Sequence, residues 1–581
     1  MFNHPFTFKG EEYISFYRIG KECKNNFSYQ CIILPEPTIE KDTFSFLIAP
    51  EFVEEGSSGA GIVMNGHEIR IIEYDGIEYH TILVAHVDVS TWVDLVLVYT
   101  NKKPLLYING RLIAEGNPSP FQNVYPSGMI GGNEKGETFR GKVRSIKLWN
   151  EGLTHNQILH LEEDSQGYDG KVVWGKNFLN GGTYKKGNIF SPKVTIIMPT
   201  YNKYEEILLT LYSLESQTFH KNNFEVIICD DGSGDNTFNM VKEHPFSFSL
   251  TYIRSNVNIG RPNMRNLGLK VATGEVIIFL DAEILVKPDF IDHHYRAHLQ
   301  NDRLVVSGSL VLHGVYTKFH PGFNQVQMKL LVQILRNNQH NRYNLQEIIK
   351  GNKTFTFLTK ENVLDQSYTH YSFEKPFVQI YRDNLFKYYG NDLKGFHFPW
   401  ILFCTGNVSV RATGFQEVGL FEEFPGYGWD DNEMGYRFYK KGYSFLNHKD
   451  LISFHQEHPV ATSNSIDAVR NFVRMFNKYQ EIEMRIFALN FVGIELYPLN
   501  NLLNSFLTLE EKYPSKFQNF KELYSYMQES IAKKLWTGEE KKNLAEGSPI
   551  NLALAEKESE TLLQIEEFRA LAENFKYLIG L

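Results

Sequence analysis

The sequence predicts a multidomain chain. A β-sandwich spans 1–170, a linker 171–191, a central α/β, Rossmann-like domain 192–465, and an α-helical C-terminal region 466–581. Three observations predict this order. The first part alternates apolar and polar positions between turn signals, the middle carries short apolar runs separated by helical stretches, and the end is apolar at helix spacing. A chain of 581 residues is also too long for one hydrophobic core.

Within the first segment, Leu105–Ile108, Asn109-Gly110 and Arg111–Ile113 form a hairpin signal, because a type I′ turn needs positive φ at both central residues. Trp92–Tyr99 and Lys142–Trp149 supply further strands, and many strands without a long helix predict a sandwich. Taken in order, Trp92, Tyr99, Leu106–Gly110 and Phe139–Trp149 resemble the laminin-G/concanavalin-A-like jelly roll over most of the first 165 residues. The resemblance implies glycan or protein binding by analogy. Glu68-Ile-Arg-Ile-Ile-Glu73 resembles the paired glutamates of jelly-roll glucanases, but Arg70 stands where those enzymes place an aspartate. A glycanase is therefore disfavoured, and both glutamates are expected as outward-facing strand charges.

Beyond the Gly-rich connection Asn180-Gly-Gly182, the runs Val194–Met198, Phe224–Cys229 and Glu275–Leu280 are nearly continuously apolar. Ile207, Leu208, Leu211 and Leu214 lie at helix spacing between the first two. Strands buried on both faces and alternating with helices predict a parallel sheet. Each run ends in a polar loop: Pro199-Thr-Tyr-Asn-Lys203, Asp230-Asp-Gly-Ser-Gly-Asp235 and Asp281-Ala-Glu283. One such loop is ordinary turn chemistry. Three, each at the carboxyl end of a parallel strand, should converge on one crevice.

The run Val194–Pro288 resembles the family 2, GT-A-type glycosyltransferases through Pro199-Thr-Tyr-Asn202, Asp230-Asp-Gly-Ser233, Asn258-Ile-Gly260 with Arg265-Asn266, and Gly274-Glu275 through Phe279-Leu-Asp281. The resemblance implies a UDP-sugar donor. It places Pro199, Thr200, Tyr201, Asn202, Asp231, Gly260, Arg265, Asp281 and Ala282 at the nucleotide-sugar site, with Tyr201 and Asp231 against the base. The family's Asp-x-Asp implies a divalent cation, Mn2+ or Mg2+, because carboxylates at i and i+2 of an extended segment point the same way. Here Glu283 takes the second position, keeping charge and ligand type on a longer arm.

A second block runs from Phe403-Cys-Thr-Gly-Asn-Val-Ser409 through Gly428-Trp-Asp-Asp-Asn-Glu-Met-Gly-Tyr-Arg437 to Phe454-His-Gln-Glu-His-Pro459. It resembles the C-terminal half of GalNAc/galactosyltransferase-like modules, including bacterial chondroitin polymerases. By that match Asp431 is the catalytic base, Asp430 replaces the usual glutamate before it, and His455 completes a metal site with Asp281 and Glu283. Read locally, Asp430 and Glu433 also form a helix capping box, closed by Lys440, Lys441 and Gly442. Trp429 reads either as a wall for a sugar face at the nucleotide-sugar site or as a core tryptophan, and His458 is left open. The family match implies inversion in a single displacement onto a glycan or a peptide/protein acceptor. The competing reading is a non-catalytic carbohydrate- or protein-binding chain on a transferase fold. For 300–395 a mobile, acceptor-shaping insert is expected.

A net charge of −9 predicts no nucleic-acid partner, and four cysteines without metal-type spacing predict a reducing compartment. Neither a signal peptide nor a transmembrane run is visible, so a cytoplasmic protein is expected, with a peripheral membrane role open. At the C-terminus Ile565, Phe568, Ala572, Phe575 and Ile579 follow three-four spacing. That face either packs on its own protein or joins two copies as a homodimer.

Overall fold

The computed structural model describes all residues except 1–4, 17–22, 37–42, 134, 162–171, 178–182, 186–187, 338–344 and 460–463. The connection Asn180-Gly-Gly182 therefore lies outside the described residues. The chain divides into two compact units, Met1–Asp302 with Ser409–Leu420, and Arg303–Val408 with Phe421–Leu581.

In the first unit, one sheet of the sandwich runs in the order Arg111–Glu115, Lys103–Ile108, Val93–Thr100, Phe27–Pro35, Arg140–Trp149, Val172–Asn177, Thr183–Lys185, Asn188–Phe190. The last three strands occupy the expected linker, because the backbone from Val172 continues the ladder against Ser145–Trp149. The Asn109-Gly110 hairpin forms as expected, with φ of 47° and 72°. Trp149 is fully buried in a cluster with Val96, Val98, Tyr107 and Ile158. Burying a large side chain of this kind contributes roughly 1.5–3 kcal/mol.

Glu73 corrects the sequence reading. It shares the inward face with Ile69 and Ile71, is fully buried, and accepts hydrogen bonds from Ser58 (2.9 Å), Tyr99 (3.0 Å) and Ser119 (2.6 Å). Two-residue alternation puts positions five apart on opposite faces of a strand, so only Glu68 points outward, where it pairs with Arg70 and His86.

The other sheet of this unit joins two architectures. Its α/β part has the order Val276–Leu280, Val194–Thr200, Phe224–Asp230, Ser249–Ser255, all parallel. Glu12–Phe16 then pairs antiparallel with Ser249–Ser255 (Ile14 opposite Ile253). The ladder continues through Met129–Ile130, Ser45–Ala49, Ser57–Met64, Glu68–Tyr74 and Tyr79–His86. Sandwich and α/β layers thus share one hydrogen-bonded sheet. A second tie is Lys176, 2% exposed, which donates to the Val271 carbonyl at the end of the helix Arg261–Val271. Burial lowers its ammonium to about 8.

The second unit pairs Leu304–Ser307 with Ser444–Asn447, and Leu312–Val315 with Ser453–Gln456, both parallel. Helices then dominate: Asp430–Lys440, Asn464–Lys478, Leu496–Lys512, Gln518–Thr537, Leu552–Leu563 and Arg569–Gly580. Phe568, Ala572 and Phe575 are fully buried, and Phe575 meets Phe520 at 4.6 Å between ring centroids. This helical face packs within its own unit. Among the described residues no helix is long and apolar enough to cross a membrane.

Candidate active site

The three polar loops of the first unit leave neighbouring strands, and the first two are tied together by their own hydrogen bonds. Asn202, at φ 53°, donates its N–H to Ser233 Oγ (2.8 Å) and accepts the Gly234 N–H on Oδ1 (2.8 Å). Asp235 accepts the N–H groups of Tyr204 and Thr237, both at 3.0 Å, steering the chain into the helix Tyr204–Glu215. The Asp231 N–H donates to the Thr200 carbonyl at 2.9 Å. Thr200 is buried and its hydroxyl has no partner among the described residues. Tyr201 projects from the same loop, 49% exposed.

The two aspartates of the second loop have separate tasks. Asp230 is fully buried and holds the loop from inside, accepting from Tyr252 and the Ser233 N–H (2.8 Å), with Arg254 at 3.4 Å. Asp231 turns the other way and accepts the Ile259 and Gly260 N–H groups at 2.6 and 3.0 Å. These bonds shape the Asn258-Ile-Gly260 turn, where Gly260 takes φ 88° at the start of the helix Arg261–Val271. Desolvation pushes the Asp231 carboxyl up to about 6 despite both bonds.

At the third loop, the Ile284 N–H closes a turn onto the Asp281 carbonyl (3.1 Å). Ala282 is buried with its carbonyl held by Thr210 Oγ1 (2.7 Å), while Asp281 and Glu283 on either side are half-buried. Arg265, 2% exposed, reaches Asp281 at 3.8 Å. Pro199 to Asn202, Asp231, Gly260, Arg265 and Asp281 to Glu283 are thus gathered in one unit. They lie at the carboxyl ends of adjacent parallel strands, where the order reverses between Val194–Thr200 and Val276–Leu280. Open α/β sheets bind ligands at such a switch point.

Asp430, Asp431, Trp429 and His455 belong to the second unit. Asp430 is buried in the first turn of the helix Asp430–Lys440, and Asp431 beside it is half-buried. The Asp431 carboxylate accepts the Asn432 N–H at 2.9 Å and the Thr405 N–H at 3.4 Å. The expected capping box does not form, since Trp429 is the N-cap and no side chain caps the helix. Glu433 is instead fully buried, holding Arg437 (2.8 Å), Lys478 (2.9 Å) and the Tyr479 hydroxyl. Lys478 and Tyr479 stand at the end of the following helix, which a local reading of four residues does not see. Gly442, at φ 77°, ends the helix as expected.

Trp429 takes φ 68°, a left-handed conformation that costs a non-glycine residue about 1–3 kcal/mol. The buried Asn471 stabilises the turn before it by donating to the carbonyls of Pro425 (2.9 Å), Tyr427 (3.2 Å) and Gly428 (3.0 Å). His455 Nδ1 lies 3.3 Å from Glu457 Oε1, and its ring is 5.2 Å from that of His458. Lys375 pairs with the same carboxylate. Burial opposes ionisation of Glu457, but the His455 and Lys375 contacts hold its carboxyl below the usual range. Sequence reasoning assigned no role to Glu457, Lys375 or Asn471. The run Phe454-His-Gln-Glu457 was the one available signal, an acid two residues from an imidazole on the same strand face.

The carboxylates of Asp281 and Glu283 and the His455 imidazole are oxygen and nitrogen donors of the kind a divalent cation such as Mn2+ accepts. In the first unit the half-buried Asp281 and Glu283 flank the buried Ala282, and in the second the His455 imidazole is oriented by Glu457.

Residues 195–366 match the family model for glycosyl transferase family 2, and residues 20–159 that for the concanavalin A-like lectin/glucanases superfamily. The chain is 32% identical over 305 residues to the uncharacterized glycosyltransferase YfnE of Bacillus subtilis, covering 52% of this chain and 74% of that one. It is 26% identical over 322 residues to chondroitin synthase of Escherichia coli, covering 55% of this chain and 42% of the synthase. A crystal structure of S. aureus TarS 1–349 in complex with UDP-GlcNAc aligns over 67% of this chain and 90% of that one, at 15% identity and a TM-score of 0.35. Less than half of the chondroitin synthase is thus represented.

Proposed function

This chain belongs to glycosyl transferase family 2, and from that premise we propose that it moves a hexose or N-acetylhexosamine from a UDP-sugar onto a glycan or peptide/protein acceptor with inversion. The observation that carries this reading is the placement of the loops at Thr200–Asn202, Asp231–Ser233 and Asp281–Glu283 at the carboxyl ends of neighbouring parallel strands, the first two hydrogen-bonded to each other and Asp281 held by Arg265.

In this reading the nucleotide lies across that crevice, with the exposed Tyr201 ring against the base and Asp231 holding the Ile259–Gly260 turn beneath it. Asp281, Glu283 and His455 would hold Mn2+ or Mg2+, whose charge when bound offsets that of the departing diphosphate. Asp431 takes the acceptor hydroxyl proton as its oxygen attacks the anomeric carbon and the UDP bond breaks. Its position in the first helical turn, with backbone N–H donors on both oxygens, fixes the carboxylate for that task. Asp430 and Trp429 set that turn and the adjacent wall. The sandwich is read as a glycan- or protein-binding module.

A cytoplasmic setting belongs to the same reading, because all four cysteines are free thiols. The test is UDP release from a panel of UDP-sugars with manganese, followed by mass spectrometry of products on glycans and peptides. Absence of turnover with every donor and acceptor would sink the reading.

A further inference from the structure

The second unit contains a cavity whose lining draws on residues well beyond the sugar-donor loops. Its volume is about 390 Å³, within the roughly 300–1,000 Å³ of ligand pockets. Three separate parts of the chain line it: Tyr381 and Asn384, then Cys404 with Trp429 and Asn432, then Glu495. All six lie outside the residues 195–366 that match the family.

The lining combines one apolar wall with several polar side chains. The Trp429 indole is backed by Phe472, Phe487 and Phe491, at 4.9, 5.8 and 6.3 Å between ring centroids. Opposite chemistry surrounds it. Tyr381 and Asn384 are half-buried in the lining, and the Glu495 carboxylate is exposed at its edge. Asn432 spends its amide nitrogen on the Ile401 carbonyl at 3.1 Å and keeps its oxygen for a donor. Asn384 sits in a π-helical turn, Arg382–Phe386, a geometry that recurs at functional sites. Glu495 stands at the start of the helix Leu496–Lys512, yet its carboxylate caps no N–H.

An aromatic face beside amide, hydroxyl and carboxylate groups matches a pyranose, which presents apolar C–H faces and a rim of hydroxyls. Two of the lining residues, Trp429 and Asn432, flank the proposed base Asp431 along the chain at the same helix start. We infer that this cavity is a saccharide subsite, holding a sugar unit of the acceptor glycan on the Trp429 indole between Asn384, Asn432 and Glu495. Calling that sugar an acceptor unit rests on the transferase reading; the binding itself does not. This subsite selects glycans over peptides, because its polar groups satisfy hydroxyls from several directions at once. Separately, burial and the neighbouring Cys404 thiol push the Tyr381 phenol up to about 12, so it stays a neutral donor at physiological pH.

Cys404 provides the readout, being half-buried in this lining while Cys23, Cys31 and Cys229 are fully buried. The full-length protein is alkylated with iodoacetamide, and modification of Cys404 is followed by mass spectrometry. The probes are cellobiose, N,N′-diacetylchitobiose and an unsulfated chondroitin tetrasaccharide, each without any nucleotide. At least one should slow the reaction, by about ten-fold at ten times its Kd on mass action. Asn384→Ala and Glu495→Gln should each weaken that protection, with thermal melts confirming that both variants fold. Equal alkylation with and without all three saccharides overturns the inference, even if UDP release shows an active transferase. Protection by a saccharide in a protein that turns over no UDP-sugar upholds the subsite and overturns the transferase reading instead.

Discussion

His455 faces Glu457 across 3.3 Å, from Nδ1 to Oε1, and Lys375 pairs with the same carboxylate. A carboxylate on Nδ1 fixes the imidazole tautomer and orientation, leaving Nε2 as the lone-pair nitrogen that a cation would use. Glu457→Gln should therefore raise the manganese concentration needed for half-maximal UDP release by about 10–100-fold, with the fold intact. Titrating activity against Mn2+ checks this, and an unchanged midpoint would remove His455 from the metal site.

Asp431→Asn should lower kcat by about 10²–10⁴-fold while leaving UDP affinity near that of the parent, because the amide cannot take a proton from the acceptor. Single-turnover transfer with calorimetry of UDP binding separates the two quantities. A loss confined to binding would show that Asp431 is not the base.

Gly435 lies one helical turn beyond Asp431. A Cβ built there would meet Phe403 Cβ at 2.5 Å and the Trp400 carbonyl at 2.6 Å. Gly435→Ala should push the helix Asp430–Lys440 off the Pro399–Leu402 segment, costing about 1–3 kcal/mol and carrying Asp431 with it. A matched fall in thermal stability and in kcat is expected.

Asp231 gives the protein a pH signature. Its folded carboxyl is raised to about 6 from an ordinary 3.8, so the folded state binds the proton more tightly than the unfolded chain. The stability linked to that proton is fully present below about pH 4 and is lost as pH rises through 6. Solvent at the crevice reduces its size to about 1–2 kcal/mol. Melts of wild type against Asp231→Asn between pH 4 and 7 should diverge over that window. A constant difference would show that the group titrates normally.

Local patterns in the sequence revealed those features that depend on neighbours along the chain. Asn109-Gly110 specifies its hairpin because both residues accept positive φ, and the crevice was legible because polar loops follow apolar strands at 199, 230 and 281. Features that depend on distant partners were not. Glu433 has the residue type and spacing of a capping acid, yet Lys478 and Tyr479 claim it from 45 and 46 positions away. Asn471 supports the turn before Trp429 from the next helix, and no periodicity marks it. Glu73 is different: the alternation that places it inside is legible in the sequence, since two glutamates five residues apart on a strand face opposite ways.

The ladder between Glu12–Phe16 and Ser249–Ser255 bears on how this enzyme can be handled. Cutting away the lectin-like portion would strip Tyr252 and Ile253 of their backbone partners and leave a bare apolar edge, ready to recruit another polypeptide. An isolated catalytic fragment is therefore expected to precipitate on expression.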